Sequence, residues 1–321
     1  MIKNVLTITL NPTIDKSSAV ANIKPEKKLR CDKPKYEPGG GGINVSRGLV
    51  RLGVPSAAFF TSGGRTGEQL ESLLQQEQIP IHPYKVSGAT RENFIVVDTA
   101  SNEQYRFGMP GEEITADEAE GILKAIVNCN PAPDIAVISG SLPPGLDAAY
   151  MGNLVKELKQ QNVKVVADTS GDALTATLQE GVYLVKPNLG ELSRLTGRSE
   201  LDNESADEAA KELVTSGKAE IVVVSMGPQG AYLVTKDETI HVPAPSVKKL
   251  STVGAGDSMV AGMVSVIAKG GSTHEMIRMG VACGTAATMN PGTGLFKKED
   301  AERLYNWLCK NAVILNLKSE L

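Results

Sequence analysis

The feature that most constrains the fold is a regular alternation of short apolar runs and longer amphipathic segments. The apolar runs predict buried strands at Val5–Leu10, Ala57–Thr61, Ile135–Ser139, Val163–Asp168, Val182–Lys186 and Ile221–Ser225. Helical spacing predicts helices at Ile43–Leu52, Thr66–Gln76, Thr115–Val127, Ala148–Gln160, Ala206–Thr215, Asp257–Ala268, His274–Thr288 and Lys298–Asn311. This alternation is typical of a mostly parallel sheet covered by helices on both faces.

Two stretches interrupt the alternation, and we expect them to form one small β-sheet over one end of the main sheet. Thr13–Pro38 is polar and rich in lysine, whereas Arg91–Phe107 alternates around its centre as a hairpin does. One interpretation is a lid formed by about residues 13–38 and 91–107, because long insertions in compact domains usually serve function. The other is a pair of surface loops. In both cases we expect a single domain over residues 1–321.

The composition excludes several classes of protein. Lys and Arg number 33 against 37 Asp and Glu, and the net charge of −4 provides no basic field for nucleic acid or anionic lipid. No apolar run approaches the ~18 residues of a transmembrane helix, and Met1–Leu10 lacks the order of a signal peptide. The four cysteines form no C-x-x-C pair. We therefore expect a cytoplasmic protein with small-molecule partners, bound to neither nucleic acid nor membrane.

Glycine is enriched, at 32 of 321 residues, above the usual ~7%. The excess is concentrated in four segments: Gly39–Gly42, Gly140–Gly145, Gly227–Gly230 and Gly254–Gly256. Because a residue without a side chain lets the backbone approach a ligand, we interpret these glycine segments as the lining of one cleft.

The strongest local pattern is Gly254-Ala255-Gly256-Asp257, where a loop enters a predicted helix. Successive backbone N–H groups at a helix start attract an anion, and an aspartate beside them can accept a proton from a hydroxyl. Together these features suit phosphoryl transfer to an alcohol. The alternative is that Asp257 is only a first-turn residue favoured by the helix dipole.

The Gly39–Gly42 segment also precedes a predicted helix, but it does not match the nucleotide-binding patterns. The fingerprint G-x-G-x-x-G requires glycine at position 44, which is Asn44, and no strand directly precedes the segment. The phosphate-binding pattern G-x-x-x-x-G-K-[ST] does not occur in the sequence. A nicotinamide-dependent enzyme is therefore disfavoured, and Asn44 is a hydrogen-bonding candidate for a small polar ligand.

Polar residues follow several predicted strands. Asn188 and Glu191 have the spacing of a helix capping box, and also suit a place beside a metal-bound phosphate. Lys28, Arg30 and Arg91, in the interrupting stretches, are either phosphate anchors or solvated surface charges. Ligands of open parallel sheets bind at the carboxyl ends of strands. We therefore expect four segments to meet: Asn11–Asp15, Ser139–Gly145, Asn188–Glu191 and Ser225–Gly230.

Three motifs together resemble the ribokinase-type PfkB family of sugar kinases, namely Pro38–Arg47, Asn188–Glu191 and Ser251–Asp257. The resemblance covers nearly the whole chain. It implies a ribokinase-like three-layer α/β/α domain with a mostly parallel central sheet and a small β-sheet lid. It also implies ATP and Mg²⁺ as cofactors, K⁺ beside the anion hole, and a homodimer formed through the lid.

The resemblance implies a role for each matching residue. The catalytic residues would be Asp257 as the base and Gly254, Ala255 and Gly256 as the anion hole. The substrate-binding residues would be Asp15, Gly40, Asn44 and Ser139 around the sugar and Lys28, Arg30 and Arg91 around its phosphate. The nucleotide residues would be Lys186, Asn188, Ser225, Gly227, Gly230, Thr285 and Glu191, the last also facing Mg²⁺ through water. The potassium ligands would be Ser251, Val253, Asn290 and Gly292.

Further segments resemble the family members that phosphorylate fructose 6-phosphate: Lys28–Cys31, Glu37–Val45, Glu103–Phe107, Met109–Gly111 and Ile138–Gly145. The resemblance thus implies an ATP-dependent kinase that acts on the C1 hydroxyl of fructose 6-phosphate. The alternatives within the family are a 1-phosphofructokinase and a tagatose-6-phosphate kinase. An alternative of another class is a non-catalytic sugar-phosphate sensor, which would not need to keep a base such as Asp257.

Overall fold

The computed structural model describes residues 2–198, 201–202, 205–311 and 315–316. The strands are β1 (Val5–Thr9), β2 (Thr13–Val20), β3 (Lys35–Gly39), β4 (Ser56–Ser62), β5 (Ile81–Lys85), β6 (Arg91–Asp98), β7 (Glu103–Phe107), β8 (Ile135–Ser139), β9 (Lys164–Asp168), β10 (Val182–Val185), β11 (Ala219–Ser225), β12 (Ala231–Val234), β13 (Thr239–Val242) and β14 (Leu315–Asn316). The helices are α1 (Gly41–Arg51), α2 (Gly64–Gln76), α3 (Ala116–Val127), α4 (Ala148–Gln160), α5 (Gly171–Gln179), α6 (Leu189–Thr196), α7 (Ala206–Thr215), α8 (Ala255–Lys269), α9 (Thr273–Thr288) and α10 (Lys298–Asn311).

The main sheet has ten strands in the order β14-β13-β12-β11-β10-β9-β8-β1-β4-β5. The pairs from β11 to β5 are parallel, and the three pairs from β14 to β11 are antiparallel. One face packs against α1, α8, α9 and α10 around Val45, Val260 and Ala286. The other packs against α3 to α7 around Leu154 and Leu213. This arrangement confirms the predicted three-layer fold, and burial on both faces explains why the strands are continuously apolar.

A separate four-stranded sheet has the order β3-β2-β6-β7. β2 pairs antiparallel with β3 and parallel with β6, and β6 and β7 form the predicted hairpin. Asn102, in the hairpin turn, has a φ of 60°, a conformation that asparagine tolerates better than most residues. The register places Asp15 opposite both Glu37 and Asn93. The small sheet therefore draws its strands from the two stretches that interrupt the sequence alternation.

Four elements were not predicted from the sequence: α5, β5, β12 and β13. The expectation that no strand directly precedes the Gly39–Gly42 segment is wrong, because β3 (Lys35–Gly39) leads into it; β3 is short and contains Pro38, so its strand character depends on pairing with β2. β5 contains Pro83, and a proline within an apolar run argues against a strand except at a sheet edge, which is where β5 lies. β12 and β13 have four residues each, too few for alternation to stand out. The sequence left Val313–Leu321 open between a strand and a loose tail. Leu315–Asn316 pairs with β13, and the rest of that segment lies outside the described residues.

A search of the described residues finds no helix that is both long enough and apolar enough to span a membrane.

Candidate active site

The carboxyl ends of β1, β8, β9, β10 and β11 lie side by side, as the strand order requires. Asn11, just after β1, donates from Nδ2 to Ser141 Oγ at 3.2 Å. Asn188, after β10, forms an isolated parallel bridge with Ser225 at the end of β11. The predicted strand-end segments therefore meet in neighbouring pairs along one edge of the sheet.

Two glycine segments that are far apart in the chain meet through one hydrogen bond. Asn44 Nδ2 in the first turn of α1 donates to Asp257 Oδ2 in the first turn of α8 at 2.9 Å, across a separation of 213 residues. Each helix follows a glycine with positive φ, Gly40 at 116° and Gly254 at 71°. Only glycine adopts such values without strain, so both helix starts depend on glycine at these positions.

The environment of Asp257 prepares its carboxyl group to exchange a proton near neutral pH. Burial raises the pKa of Asp257 to about 6, and the nearby carboxylates of Asp168 and Asp15 act in the same direction. The hydrogen bond from Asn44 and the ammonium of Lys186 oppose this rise in the pKa. A carboxyl group with a pKa near 6 is largely ionised at pH 7 and still basic enough to accept a hydroxyl proton during reaction.

The start of α8 offers unpaired backbone donors beside this carboxylate. Among the described residues, the N–H groups of Gly254, Gly256 and Asp257 meet no acceptor, whereas Ala255, the third residue of the predicted anion hole, donates a long hydrogen bond of 3.4 Å to Thr252 O. A methyl group built on Gly256 would lie 3.6 Å from Lys186 Nζ, so the ammonium borders the same space. Backbone donors at a helix start and a nearby ammonium group together fit a phosphate group.

Lys186 is buried at the end of β10, and its Nζ lies 3.1 Å from Asp168 Oδ1. Burial is the largest single influence on the pKa of Lys186 and lowers it, but the attraction and hydrogen bond of Asp168, with the carboxylates of Glu191 and Asp257, together hold that pKa above its ordinary value. Lys186 is therefore an ammonium ion at the site. Asp168 was not among the site residues predicted from the sequence, although a carboxylate at the carboxyl end of a predicted parallel strand is a signal that indicates such a residue. Asp168 Oδ2 also accepts a long hydrogen bond, of 3.4 Å, from Ser139 Oγ.

Asn188 and Glu191 form the predicted capping box at the start of α6. Glu191 N donates to Asn188 Oδ1 at 2.9 Å, and Asn188 N donates to Glu191 Oε2 at 3.0 Å. Within the described part of the chain, the second carboxylate oxygen of Glu191 has no hydrogen-bond or ion-pair partner. The capping role is therefore confirmed, and it leaves one oxygen that fits a hydrated cation.

A second polar group lies on the small sheet. Asn93 Nδ2 donates to Asp15 Oδ1 at 3.0 Å, and burial raises the pKa of Asp15 despite that bond. Arg91 donates to Asn11 O at 3.0 Å and to Met109 O at 2.8 Å. Its buried Nε has no partner within the described residues. The sheet thus presents a guanidinium whose orientation is fixed by backbone carbonyls.

The other predicted sugar-site residues divide into two groups. Ser139 touches the Gly39–Gly42 segment, because a methyl group on Gly41 would lie 2.2 Å from its Oγ. Lys28 and Arg30 lie in the exposed connection between β2 and β3, without a hydrogen bond or ion pair in the part of the chain that the structure describes. The structure therefore does not bring Lys28 and Arg30 together with the other candidates.

Three of the four predicted potassium ligands lie together. Ser251 Oγ donates to Gly292 O at 2.8 Å and accepts from Val253 N at 3.2 Å. Asn290 is two residues before Gly292, and its Nδ2 donates to Ala286 O at 3.1 Å. The atoms at this place that can coordinate a metal ion are oxygens, which are the ligands preferred by a hard cation.

Most of the predicted nucleotide residues lie at or just beyond the ends of β10 and β11, and Thr285 lies on α9. Gly227 has open space around its Cα, with a φ of 57°. Thr285 is buried on α9. Its neighbour Gly284 approaches the start of α8, since a methyl group there would lie 3.2 Å from Ala255 O.

The interpretation of every glycine segment as cleft lining is too broad. A methyl group on Gly42 would lie 2.8 Å from Ile8 O. On Gly145 it would lie 2.1 Å from Ile114 O, and on Gly230 it would lie 2.0 Å from Val242 O. These three glycines are required because the chain's own backbone packs against them. A methyl group on Gly227 would have no atom within 4 Å, and one on Gly256 would meet only the end of the Lys186 side chain.

Comparison with known proteins identifies the class of enzyme. The sequence profile of the pfkB family carbohydrate kinases matches residues 4–300. The ATP-dependent 6-phosphofructokinase isozyme 2 of Escherichia coli (strain K12) is 45% identical over 307 residues, which are 95% of this chain and 99% of that relative. The protein is thus an ATP-dependent sugar kinase. It belongs to the PfkB family of carbohydrate kinases.

Solved structures support the same assignment. Phosphofructokinase-2 from Escherichia coli in complex with potassium matches with a TM-score of 0.92 and 44% identity, over 96% of this chain and 100% of that one. The same enzyme in complex with fructose-6-phosphate matches with a TM-score of 0.91 and 43% identity, over the same shares of both chains. These matches confirm the ribokinase-like α/β fold expected from the sequence.

Proposed function

We propose that this kinase transfers the γ-phosphoryl group of ATP to the C1 hydroxyl of fructose 6-phosphate, giving fructose 1,6-bisphosphate. The observation that carries the proposal is the hydrogen bond between Asn44 and Asp257, because it joins two glycine segments at a carboxylate beside unpaired amides. The preference for fructose 6-phosphate is supported by the relative that is 45% identical, a 6-phosphofructokinase.

The transfer is direct and in line, with no covalent enzyme intermediate. Asp257 accepts the proton of the C1 hydroxyl while the hydroxyl oxygen bonds to the γ-phosphorus and the bond from that phosphorus to ADP breaks. The N–H groups of Gly254, Ala255 and Gly256, with the Lys186 ammonium, stabilise the charge on the transferring group. The protein therefore contributes mainly position and fixed positive charge.

The sugar phosphate binds between the main sheet and the small sheet. The sugar contacts are Asp15, Gly40, Asn44 and Ser139. Arg91 holds the 6-phosphate, since its guanidinium is fixed by two carbonyls and keeps an unpaired Nε. Lys28 and Arg30 join that phosphate when the small sheet closes as a lid, because both are exposed and lack fixed partners in the described residues.

The nucleotide binds at the ends of β10 and β11. Its contacts are Lys186, Asn188, Glu191, Ser225, Gly227 and Thr285, whereas Gly230 shapes the loop by packing against the backbone at Val242. Mg²⁺ would neutralise charge on the phosphates, with phosphates and water as its main ligands, and the free Glu191 oxygen would face it through water. The oxygens of Ser251, Val253, Asn290 and Gly292 would hold K⁺ beside the anion site.

The active protein is a homodimer joined through the small sheet. β7 is an edge strand of that sheet, and it and the following loop expose Tyr105, Phe107 and Met109, with 39%, 50% and 46% of their surface accessible. Exposed apolar side chains along an edge strand are a liability unless a partner covers them. We place the protein in the cytoplasm, where its free cysteines stay reduced.

An ADP-release assay across a set of acceptors tests the proposal. The acceptors are fructose 6-phosphate, fructose 1-phosphate, tagatose 6-phosphate, fructose and ribose. We expect the highest kcat/KM with fructose 6-phosphate. A preference for fructose 1-phosphate or tagatose 6-phosphate would replace the proposed substrate, and no release with any acceptor would favour a sensor.

A further inference from the structure

We propose that Arg47, held by Glu77, is a positioning residue that fixes the Asn44 carboxamide and, through it, the carboxylate of Asp257. Neither Arg47 nor Glu77 contacts Asp257 directly. The inference rests on the proposed role of Asp257 as the base, and it adds a chain of contacts that runs from the end of α2 to the reacting hydroxyl.

Arg47 is almost fully buried on α1, with 4% of its side chain accessible. Its Nε donates to Glu77 Oε2 at 2.7 Å and its Nη2 to Glu77 Oε1 at 2.6 Å, which is a two-pronged ion pair. Its Nη1 donates to Pro38 O at 3.2 Å and to Asn44 Oδ1 at 3.3 Å. Four of the five guanidinium N–H groups are thereby used, so the group has one well-defined orientation.

These contacts decide which way the Asn44 carboxamide faces. Because Oδ1 accepts from Arg47, the Nδ2 group must point in the opposite direction, and there it donates to Asp257 Oδ2 at 2.9 Å. A rotated carboxamide would present its oxygen to a carboxylate and its NH₂ group to a guanidinium, and both contacts would be repulsive. Arg47 therefore selects the orientation in which Asn44 restrains the base and leaves the other Asp257 oxygen for a proton.

The contact with Pro38 extends the role of Arg47 to the substrate side. Pro38 is in β3, directly before the Gly39–Gly42 segment that connects β3 to the start of α1. Lysine could not replace the guanidinium here, because a single ammonium cannot span Glu77, Pro38 O and Asn44 in one plane. The buried side chain of Arg47 thus fixes the relative positions of the end of β3, the Asn44 carboxamide and the end of α2.

The effect of Glu77 on Asp257 must pass through Arg47 and Asn44. The charged groups that act directly on Asp257 are Asp168, Lys186 and Asp15, and its own burial is the largest influence on its pKa. The Asn44 hydrogen bond lowers that pKa. Weakening the bond therefore raises the pKa of Asp257, and the acid limb of activity moves to higher pH.

The test compares two glutamate variants of α2 and its terminal cap. Glu77→Gln keeps the size of the side chain but weakens the pair with Arg47. Glu71→Gln is the matched control, since Glu71 also forms an ion pair, with Lys85, and that pair does not reach the site. Both are assayed with ATP and fructose 6-phosphate over a pH series, and folding is checked by circular dichroism and thermal melting.

We expect Glu77→Gln to lower kcat on the order of tenfold, the effect of one weakened charge-assisted hydrogen bond, with an unchanged KM for ATP and an acid limb shifted upward. Glu71→Gln should match the parent protein in kcat, in the KM for ATP and in the position of the acid limb. Arg47→Lys should have a lower kcat than Glu77→Gln. If Arg47→Lys fails to fold, the comparison of Glu77→Gln with Glu71→Gln alone tests the proposal. In an Asp257→Asn background, Glu77→Gln should cost nothing further.

Three results would overturn the proposal. The first is a fall in kcat in Glu77→Gln no larger than that in Glu71→Gln. The second is a lower melting temperature of Glu77→Gln with unchanged kcat and pH profile. The third is a double variant, Glu77→Gln with Asp257→Asn, in which the fold losses in kcat of the two single variants multiply. Activity of the unaltered protein on fructose 6-phosphate is measured in the same series, so a failure of the proposed function is seen separately.

Discussion

Replacing Gly256 by alanine should separate stability from activity at the anion site. Gly256 lies in the first turn of α8, and its φ is not in the left-handed region. A methyl group there has Lys186 Nζ and Cε as its nearest atoms, at 3.6 Å and 3.9 Å, which are ordinary contacts. Since alanine is favoured over glycine in helices by up to about 1 kcal/mol, we expect the melting temperature to stay the same or rise by at most about 3 °C.

The same methyl group occupies the space where we place the transferring phosphoryl group. Alanine keeps the backbone N–H, but its methyl group would hold the phosphoryl group away from the donors. We therefore expect a fall in kcat comparable to the loss of one donor from an anion site, about 10²- to 10³-fold. The assay is coupled ADP release with saturating ATP and fructose 6-phosphate, alongside differential scanning fluorimetry.

Gly152→Ala is the matched control for this substitution. Gly152 lies inside α4, and a methyl group there would be 3.7 Å from Ala176 O, again an ordinary contact. This variant should gain similar stability and keep parental activity. Parental activity in Gly256→Ala would refute the placement of the phosphoryl group, and a large loss of stability would show that Gly256 is required by the fold.

Four further results are expected. Activity should fall about tenfold per pH unit below about pH 6, as Asp257 takes up a proton; a flat profile down to pH 5 would contradict this. Because the pKa of Asp257 is raised by folding, its contribution to the free energy of unfolding declines as pH rises from about 4 to about 6. The melting temperature of Asp257→Asn should therefore vary less with pH over that range than that of the parent protein. Arg91→Ala should raise the KM for fructose 6-phosphate with little change in the KM for ATP, and an unchanged sugar KM would remove Arg91 from the phosphate site. Phe107→Glu should convert dimer to monomer in light scattering, whereas a parental mass would place the interface elsewhere.

Much of the main sheet could be predicted because its strands are buried on both faces. Val5–Thr9 and Ile135–Ser139 are wholly buried, so their apolar runs stand out from the flanking polar residues. The strands that were missed lack this signal. β5 carries Pro83 and is only partly buried at the edge of the sheet, and its assignment depends on pairing with β4 rather than on its own residues.

The candidate site could be predicted where a motif is local and not where a contact is distant. The capping pair of Asn188 and Glu191 lies within one helical turn, and its spacing predicted both hydrogen bonds. The partners of Asp257 come from other elements, so no local pattern predicted its hydrogen bond with Asn44. The strand-end position of Asp168 marks it as a candidate site residue, but only the fold shows that it lies near Asp257. Likewise, Arg47 stood inside a recognised motif, but its role depends on Glu77, which lies 30 residues away.

The most direct test of the proposed mechanism is the turnover of Asp257→Asn with ATP and fructose 6-phosphate, measured beside calorimetric binding of both substrates. The amide keeps the shape of the carboxylate but cannot accept the hydroxyl proton. We predict binding of both substrates close to that of the parent protein and a kcat lower by about 10²- to 10⁴-fold. Near-parental turnover in a variant that binds both substrates would contradict the assignment of Asp257 as the base.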